Sequence, residues 1–442
     1  MASSRYDHMT KRLYYDSSAM HEFDSVVDEV APDSRAQSRP AVILRETAFY
    51  PTSGGQVHDT GWLSFGGQEA AGVRLRVSEV ADAEDGRIVH YLEAPVRLPL
   101  VGAAVHGSID AERRRDHMQQ HSGQHVLSAA FLELYQMPTV SFHMGDDSCS
   151  IDLAVPSASS EQIVGAEKRA NQIVFENRPL RVRYVSRAEA EKLGLRKLPP
   201  AERDELRLIE VADFDLSACG GTHVGASGQI GSVILRKSEK VRQGTRVEFV
   251  CGERAVRMAR RDFGALSEAA ALFSAQLWDV PEQIRKSLEE SKLLRKQNND
   301  ALDELAGMMA SADLHSQPET NGRKIVVRAF SDRDIHFAKL FAQKVARTGT
   351  PAIALVASLV DPPGLVFCQT TAQTGAQTSI AATGSAVDMG ALLKQVLSSV
   401  GGRGGGGRDF AQGGLSAGPG LNLGININVE QLLRDAAATI GS

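Results

Sequence analysis

From Asp110 to Tyr135 the chain runs 26 residues without a proline and is rich in helix formers. That stretch predicts one long helix, and its length sets what the flanking segments must pack against. The residues before it read differently. Ala41–Leu44, Val73–Val77 and Ile88–Leu92 are short strand-like runs separated by glycine-containing turns. Val73–Val77 (VRLRV) alternates apolar and charged residues, as a half-buried strand does. Between these runs, Thr47–Gly61 (TAFYPTSGGQVHDTG) holds three glycines and suits a loop with unusual backbone angles. After the helix come Glu205–Val211, Ile230–Lys237 and Thr245–Cys251, all strand-like. In the last, Thr245, Val247, Phe249 and Cys251 share one face, which makes Cys251 a core residue.

Residues 254–313 read as helical. Asp279, Pro281 and Glu282 suggest a capping box at a second helix start. A heptad spacing from Ile284 onward is interrupted by Ser291, Arg295 and Asn298, so a spacer or helical hairpin is expected rather than a coiled coil. The remainder alternates. Lys324–Ala329, Ala352–Ser358 and Leu365–Thr370 predict strands; Asp334–Ala346, Met389–Val400 and Val429–Ile440 predict helices. The glycine-rich Gly401–Gly414 reads as a loop. The expected fold class is α+β and multidomain: a β-rich, barrel-like module over 1–105, a mixed α/β domain over 106–252, a helical spacer over 253–318 and a small α/β domain over 319–442.

The chain's 442 residues suffice for several cores. No apolar run approaches the ~20 residues of a membrane-spanning helix. The opening MASSRYDHMTKR has no apolar stretch after its charges, unlike a secretory signal. Cys149, Cys219, Cys251 and Cys368 lie too far apart for a disulfide framework, so a reducing, cytoplasmic setting is expected. A net charge of −5 argues against a protein that coats nucleic acid, though not against one basic face.

Two short motifs carry chemistry. His121 and His125 stand at i and i+4 on one helix face, close enough to share a metal ion or to pack as a pair. Cys219-Gly-Gly-Thr-His223 lies 94 residues further on. Its two glycines disfavour a helix and permit a turn that aims a thiolate and an imidazole at one point. Sulfur with imidazole nitrogens is a donor set that zinc prefers. Cys219 alone reads equally as a small buried hydrophobe.

HSGQHVLSAAF followed by ACGGTHVGASGQIGSVILRK resembles the editing domain of alanyl-tRNA synthetases and their free-standing relatives, the AlaX-type alanyl-tRNA editing proteins. Gly54-Gly55-Gln56 resembles the family's motif ahead of that domain, and GGRGGGGRDFAQGG the signature of its C-terminal DHHA1 domain. The sequence departs from the synthetase pattern at Ser53, usually glycine, and Gly123, usually alanine; the latter implies a weaker helix or closer packing. The resemblance implies one zinc ion on His121, His125, Cys219 and His223. It also implies hydrolysis of seryl or glycyl esters of alanine tRNA, binding of that tRNA, and dimerisation through the C-terminal region. With about 46 residues ahead of Thr47, no aminoacylation core is expected.

A second sieve of this kind answers a physical need, since a pocket for alanine rejects a small added hydroxyl poorly. Gln56 is the candidate for orienting water or substrate, or else a polar turn residue. Thr139, Ser141 and His143 are candidates for sensing the serine hydroxyl. Zinc bound by four protein ligands is closed, as in structural sites; an opened shell would polarise the ester, and a third role is to anchor the substrate. For tRNA, the window Arg236–Arg261 holds nine Lys/Arg against three Glu, with Arg236, Lys237, Lys240 and Arg242 foremost. Arg403 and Arg408 sit in the glycine-rich tail. Two rival readings are a zinc-stabilised RNA-binding module without catalysis and a DHH-type phosphoesterase, of which Asp116-His117 is the one echo.

Overall fold

The computed structural model of the protein describes residues 9–32, 39–65, 73–93, 99–193, 195, 205–242, 244–371, 387–415 and 428–441. They fall into two compact units, Met1–Ala269 and Ala270–Ser442.

In the first unit six antiparallel strands close a barrel: β1 (Glu22–Pro32), β2 (Pro40–Leu44), β3 (Gly61–Phe65), β4 (Val73–Asp82), β5 (Ile88–Leu92) and β6 (Ala104–Ile109), in the order β1-β2-β5-β4-β3-β6. Alternation fills it. Leu63, Leu75, Val77, Val42 and Leu44 point inward with Phe23 and Val27. β1, β3 and β6 are absent from the sequence reading. β6 hides behind Gly107, where a Cβ would stand 2.3 Å from the Phe23 ring; only glycine lets that ring lie there.

The loop after β2 turns through Gly54 (φ 58°) and Gly55 (φ 86°), as its composition predicts. It ends against α1 (Ala111–Tyr135), which begins where the Asp110 carboxylate accepts the Arg113 amide at 3.2 Å. There follow β7 (Thr139–Met144), β8 (Cys149–Leu153), α2 (Ser160–Phe175), β9 (Leu180–Ser186), α3 (Arg187–Lys192), β10 (Glu205–Val211), β11 (Asp215–Ala218), β12 (Val233–Val241) and β13 (Gly244–Cys251). They form two antiparallel sheets, β12-β13-β8-β7 and β9-β10-β11. Val126, Leu127, Ala130 and Phe131 of α1 pack with Ile151, Val247, Phe249 and Ile173 in one core. Cys251 is fully buried there, as the alternation of its strand predicts.

Gly123 is explained by that core. A Cβ at this position would stand 2.2 Å from Cys251 Sγ, so the glycine serves close packing between α1 and β13. α4 (Gly252–Leu272) follows β13.

In the second unit α5 (Val280–Ser316) is one unbroken helix of 37 residues, the second helix that the sequence starts at Asp279. The capping box does not form. Asp279 already has helical angles (φ −88°, ψ −13°) because a short 3-10 turn runs straight into α5, and its carboxylate makes no cap bond. The far end of α5 packs Ala306, Ala310 and Leu314 into a core with Phe337 and Phe341. β14 (Arg323–Phe330), α6 (Ile335–Ala346), β15 (Ala352–Ser358), β16 (Gly364–Gln369), α7 (Met389–Ser399), β17 (Arg403–Gly406), β18 (Phe410–Gly414) and α8 (Val429–Gly441) complete the unit. With the two-residue strand Glu319–Thr320 at its edge, the six-stranded sheet runs on as β14-β15-β16-β18-β17, with β14 and β15 parallel across the α6 connection. Gly401–Gly414 is therefore mostly a hairpin, not a loop. Its glycines pair closely and lie under α7; a Cβ at Gly413 would meet Leu397 Cδ1 at 2.3 Å. Among the described residues no helix is long and apolar enough to cross a membrane.

Two outcomes follow. Gly123→Ala destabilises the protein by about 1–3 kcal/mol in urea unfolding, despite the better helix former, and adding Cys251→Ala recovers part of the loss. His90 is fully buried in the barrel, 2.9 Å from Thr47 Oγ1 and 3.2 Å from the Val42 carbonyl, and burial pushes it down to about 4. The unfolded chain takes up this proton below about pH 6.5 and the folded chain only near 4, so stability is full above that window and falls as pH drops through it. His90→Gln removes this share of the pH dependence, up to about 3 kcal/mol, in unfolding curves at pH 7 and 4.5.

Candidate metal centre

α1 and the turn after β11 bring the two motifs together. His121, His125, Cys219 and His223 each offer one ligand atom, all within 4.8 Å of one another. Cys219 Sγ stands 3.4 Å from His121 Nε2 and 3.4 Å from His223 Nε2. The three histidines are buried and Cys219 is half-buried. The turn depends on its glycines. A Cβ at Gly221 would lie 2.1 Å from His121 Cε1 and 2.9 Å from Gln56 Oε1. The Gly221 amide donates to Cys219 Sγ at 3.4 Å, while Arg207 Nη1 donates to the Cys219 and Gly221 carbonyls at 2.7 and 3.1 Å.

Each imidazole is held from behind. His121 Nδ1 meets Gln56 Oε1 at 2.7 Å, His223 Nδ1 meets Ser122 Oγ at 3.2 Å, and His125 Nδ1 meets Asp215 Oδ2 at 3.4 Å. Such partners fix ring orientation and leave the other nitrogen for a metal. Burial opposes charge on Cys219, but the neighbouring His121 and His223 outweigh it and hold the thiol well below its usual range. Burial, then His121, pushes His223 down to about 3. For His125 burial acts downward, yet Asp215 and Cys219 raise it to about 9. A thiolate and a neutral His223 are the ligating forms; the His125 proton must leave when a metal binds.

Gln56 is fully buried, with its amide donating to Thr222 Oγ1 at 2.8 Å and its Oε1 accepting the Thr222 amide at 3.1 Å. Its side chain thus orients His121 and joins the glycine loop to the Cys219 turn. Thr139 and Ser141 line a cleft of ≈ 320 Å³ that reaches His121, His125 and Cys219. Thr139 Oγ1 bonds Ser128 Oγ at 2.8 Å, and Ser141 Oγ donates to Asp152 Oδ2 at 2.7 Å. His143 lies elsewhere, on a separate cavity with Arg246 and Glu248. Ser122, Gln124, Ser128, Asp215, Ser217 and Arg207 were missed by sequence reasoning. Helical periodicity could have found Ser128, which shares a face with His121 and His125; nothing local marks Asp215 or Arg207.

Four of the nine cations in the basic window are paired with acids. Arg236 pairs with Asp262, Lys237 with Glu239, Arg246 with Asp152 and the buried Arg254 with Asp116. Lys240 and Arg242 are exposed. Arg403 and Arg408 are exposed on β17 and at the hairpin turn. Asp116 is thus spent on Arg254, and neither it nor His117 joins a metal-holding cluster among the described residues.

Residues 1–113 match the family described as tRNA synthetases class II (A), and residues 206–247 match the threonyl and alanyl tRNA synthetase second additional domain. Alanine–tRNA ligase from Pyrococcus furiosus is 33% identical over 323 residues, 71% of this chain and 33% of that protein. The ligase from Archaeoglobus fulgidus is 30% identical, covering 92% of this chain and 42% of that protein. The chain thus spans about two fifths or less of these ligases. The alanyl-tRNA editing protein AlaX-L from Pyrococcus horikoshii is 27% identical over 93% of this chain and 96% of that protein. These matches put the chain among relatives of the class II tRNA synthetases. More narrowly, it is a homologue of the alanyl-tRNA editing proteins of the AlaX type, matched along nearly the whole of both chains.

Gly221→Ala and Gln56→Ala should each weaken metal retention about 10- to 100-fold, read as metal per chain after dialysis against a graded chelator. Cys219→Ala should lower it further. Unchanged metal content in all three would exclude this centre.

Proposed function

We propose that the chain hydrolyses the ester linking a wrong amino acid, serine or glycine, to alanine tRNA, with one zinc ion at the four-residue centre. The observation that carries this reading is the convergence of His121, His125, Cys219 and His223, the first three of which line a small cleft together with several hydroxyls. Zinc bonds of ~2.0–2.3 Å at tetrahedral angles separate ligand atoms by roughly 3.3–3.7 Å, close to the 3.4 Å between Cys219 Sγ and its two imidazole neighbours. Bound there, the ion would supply positive charge to position the ester end of the substrate; with four protein ligands it is mainly a positioning and structural centre.

The chain's own residues supply selection. Gln124, Ser128, Thr139, Ser141 and Ser217 surround the cleft, which suits a small polar side chain. A site built to bond the serine hydroxyl leaves its own polar groups unpaired against alanine, and that rejects the correct product. Ser141 is committed to Asp152, so the Thr139–Ser128 pair is the better sensor. Gln56 acts through His121. Lys240 and Arg242, with Arg236 and Lys237 once their acidic partners are displaced, would meet tRNA phosphates. Arg403, Arg408 and the C-terminal unit would hold tRNA further away and support a homodimer. The reaction would take place in the cytoplasm.

The deciding assay is release of serine from seryl-tRNA(Ala) by the zinc-loaded chain. Turnover on seryl-tRNA, with alanyl-tRNA spared, is expected, and Thr139→Val should narrow that difference by about 10-fold or more. Binding without release would favour the non-catalytic RNA-binding reading. Cleavage of phosphodiesters instead would favour the phosphoesterase.

A further inference from the structure

One face of the β9-β10-β11 sheet runs from buried Val211 and Ile209 out to Arg207 and Tyr184, where it forms a shelf beside the Cys219 turn. Nearest the centre, exposed Gly220 sits beside Tyr15; a Cβ there would be 3.4 Å from the Tyr15 hydroxyl. Next comes Arg207, its guanidinium carbon 5.2 Å from the Tyr15 ring centre. Beyond it, directly across from Arg207 in the β9–β10 register, stands Tyr184, 47% exposed on an edge strand with Val182 at 41%. Arg207 spends Nη1 on the turn's carbonyls, and the rest of its guanidinium is buried beside the Tyr184 side chain. Arg12 flanks the other tyrosine, with its guanidinium carbon 5.7 Å from the Tyr15 ring centre while it pairs with Asp82. Exposed Arg181 lines an adjoining cavity of ≈ 290 Å³ that reaches His223. Arg183 is paired with Glu210, and Asp16 borders Tyr184.

Half-exposed aromatic rings interleaved with guanidinium groups make a surface for unpaired bases. Every base offers a π-face, and a guanidinium stacks on it. A duplex would not use such rings. We infer that Tyr15, Arg207 and Tyr184 receive the single-stranded 3′ end of the substrate RNA and lead its last nucleotide toward the Cys219 turn. This rests on the proposed editing reaction for its partner, but its test does not need hydrolysis.

The experiment measures binding of uncharged tRNA(Ala) to the full zinc-loaded chain, by fluorescence anisotropy. It compares intact tRNA with tRNA trimmed of its unpaired 3′ nucleotides. Tyr184→Ala should weaken binding of intact tRNA on the order of tenfold and leave binding of trimmed tRNA unchanged, while Tyr184→Phe keeps the stacking face and binds as the native chain does. Metal content, which Tyr184 does not touch, verifies that the variant is folded. Equal binding of intact tRNA by Tyr184→Ala overturns the inference, as does an equal loss on both RNAs, the mark of a purely structural residue. So does a change only in concentration-dependent mass, which would make the β9 edge a contact between copies. A chain that binds the 3′ end through the shelf but releases no serine would sink the editing reading and leave the shelf standing. Serine release that coexists with an unchanged Tyr184→Ala would do the reverse.

Discussion

The geometry of the first unit hangs on a fully buried ion pair between Asp59 and Arg114. Arg114 also donates to the Ser18 carbonyl at 2.8 Å and the Ala48 carbonyl at 2.6 Å, and Asp59 accepts the Tyr50 amide at 2.7 Å. Every polar group in that contact has a partner, the condition under which a buried pair is tolerable. The pair joins the glycine loop to the first turns of α1. Seven residues along the helix, on the same face, the two segments meet again as Gln56 and His121. The rotation of α1 about its own axis is thereby set, and with it the direction of both histidines.

On that frame the centre is assembled from pieces that could not form it alone. α1 supplies two imidazoles at helical spacing, and the Cys219 turn supplies the other two ligands only because Gly221 lets His121 come close. Loop residue Gln56, helix residue Ser122 and strand residue Asp215 each steady one ring. Three different elements thus preorganise one site, which limits the rearrangement needed when a metal or substrate arrives. The cleft beside it is small and lined with hydroxyls, a lining suited to hydrogen bonding.

Charge tells a more local story than the sum of the sequence. The run from Arg236 to Arg261 reads as strongly basic, yet three of its nine cations are bound to acids from elsewhere in the fold, Asp116, Asp152 and Asp262. Sequence windows count charges along one chain segment; a surface collects them from several. The shelf at Tyr184 shows the converse. Tyr15, Arg207 and Tyr184 stand far apart in sequence and give no local signal.

What the sequence by itself determined is whatever depends on short-range chemistry. The proline-free run dictated α1, period-two alternation dictated β4 and β13 and buried Cys251, and the loop glycines adopted the left-handed angles expected of them. The motifs also nominated, by residue type and spacing, the four residues that the fold brings together as a candidate metal centre. Only the tertiary structure decided the rest. It turned Gly401–Gly414 into a hairpin because those glycines find a helix and a neighbouring strand to lie against. It denied Asp279 its cap because the chain enters α5 already coiled. It made Gly123 a packing residue because Cys251, 128 positions later, fills the space a side chain would need. Each outcome rests on contacts between residues distant along the chain, and no local pattern encodes which distant atom will be the neighbour.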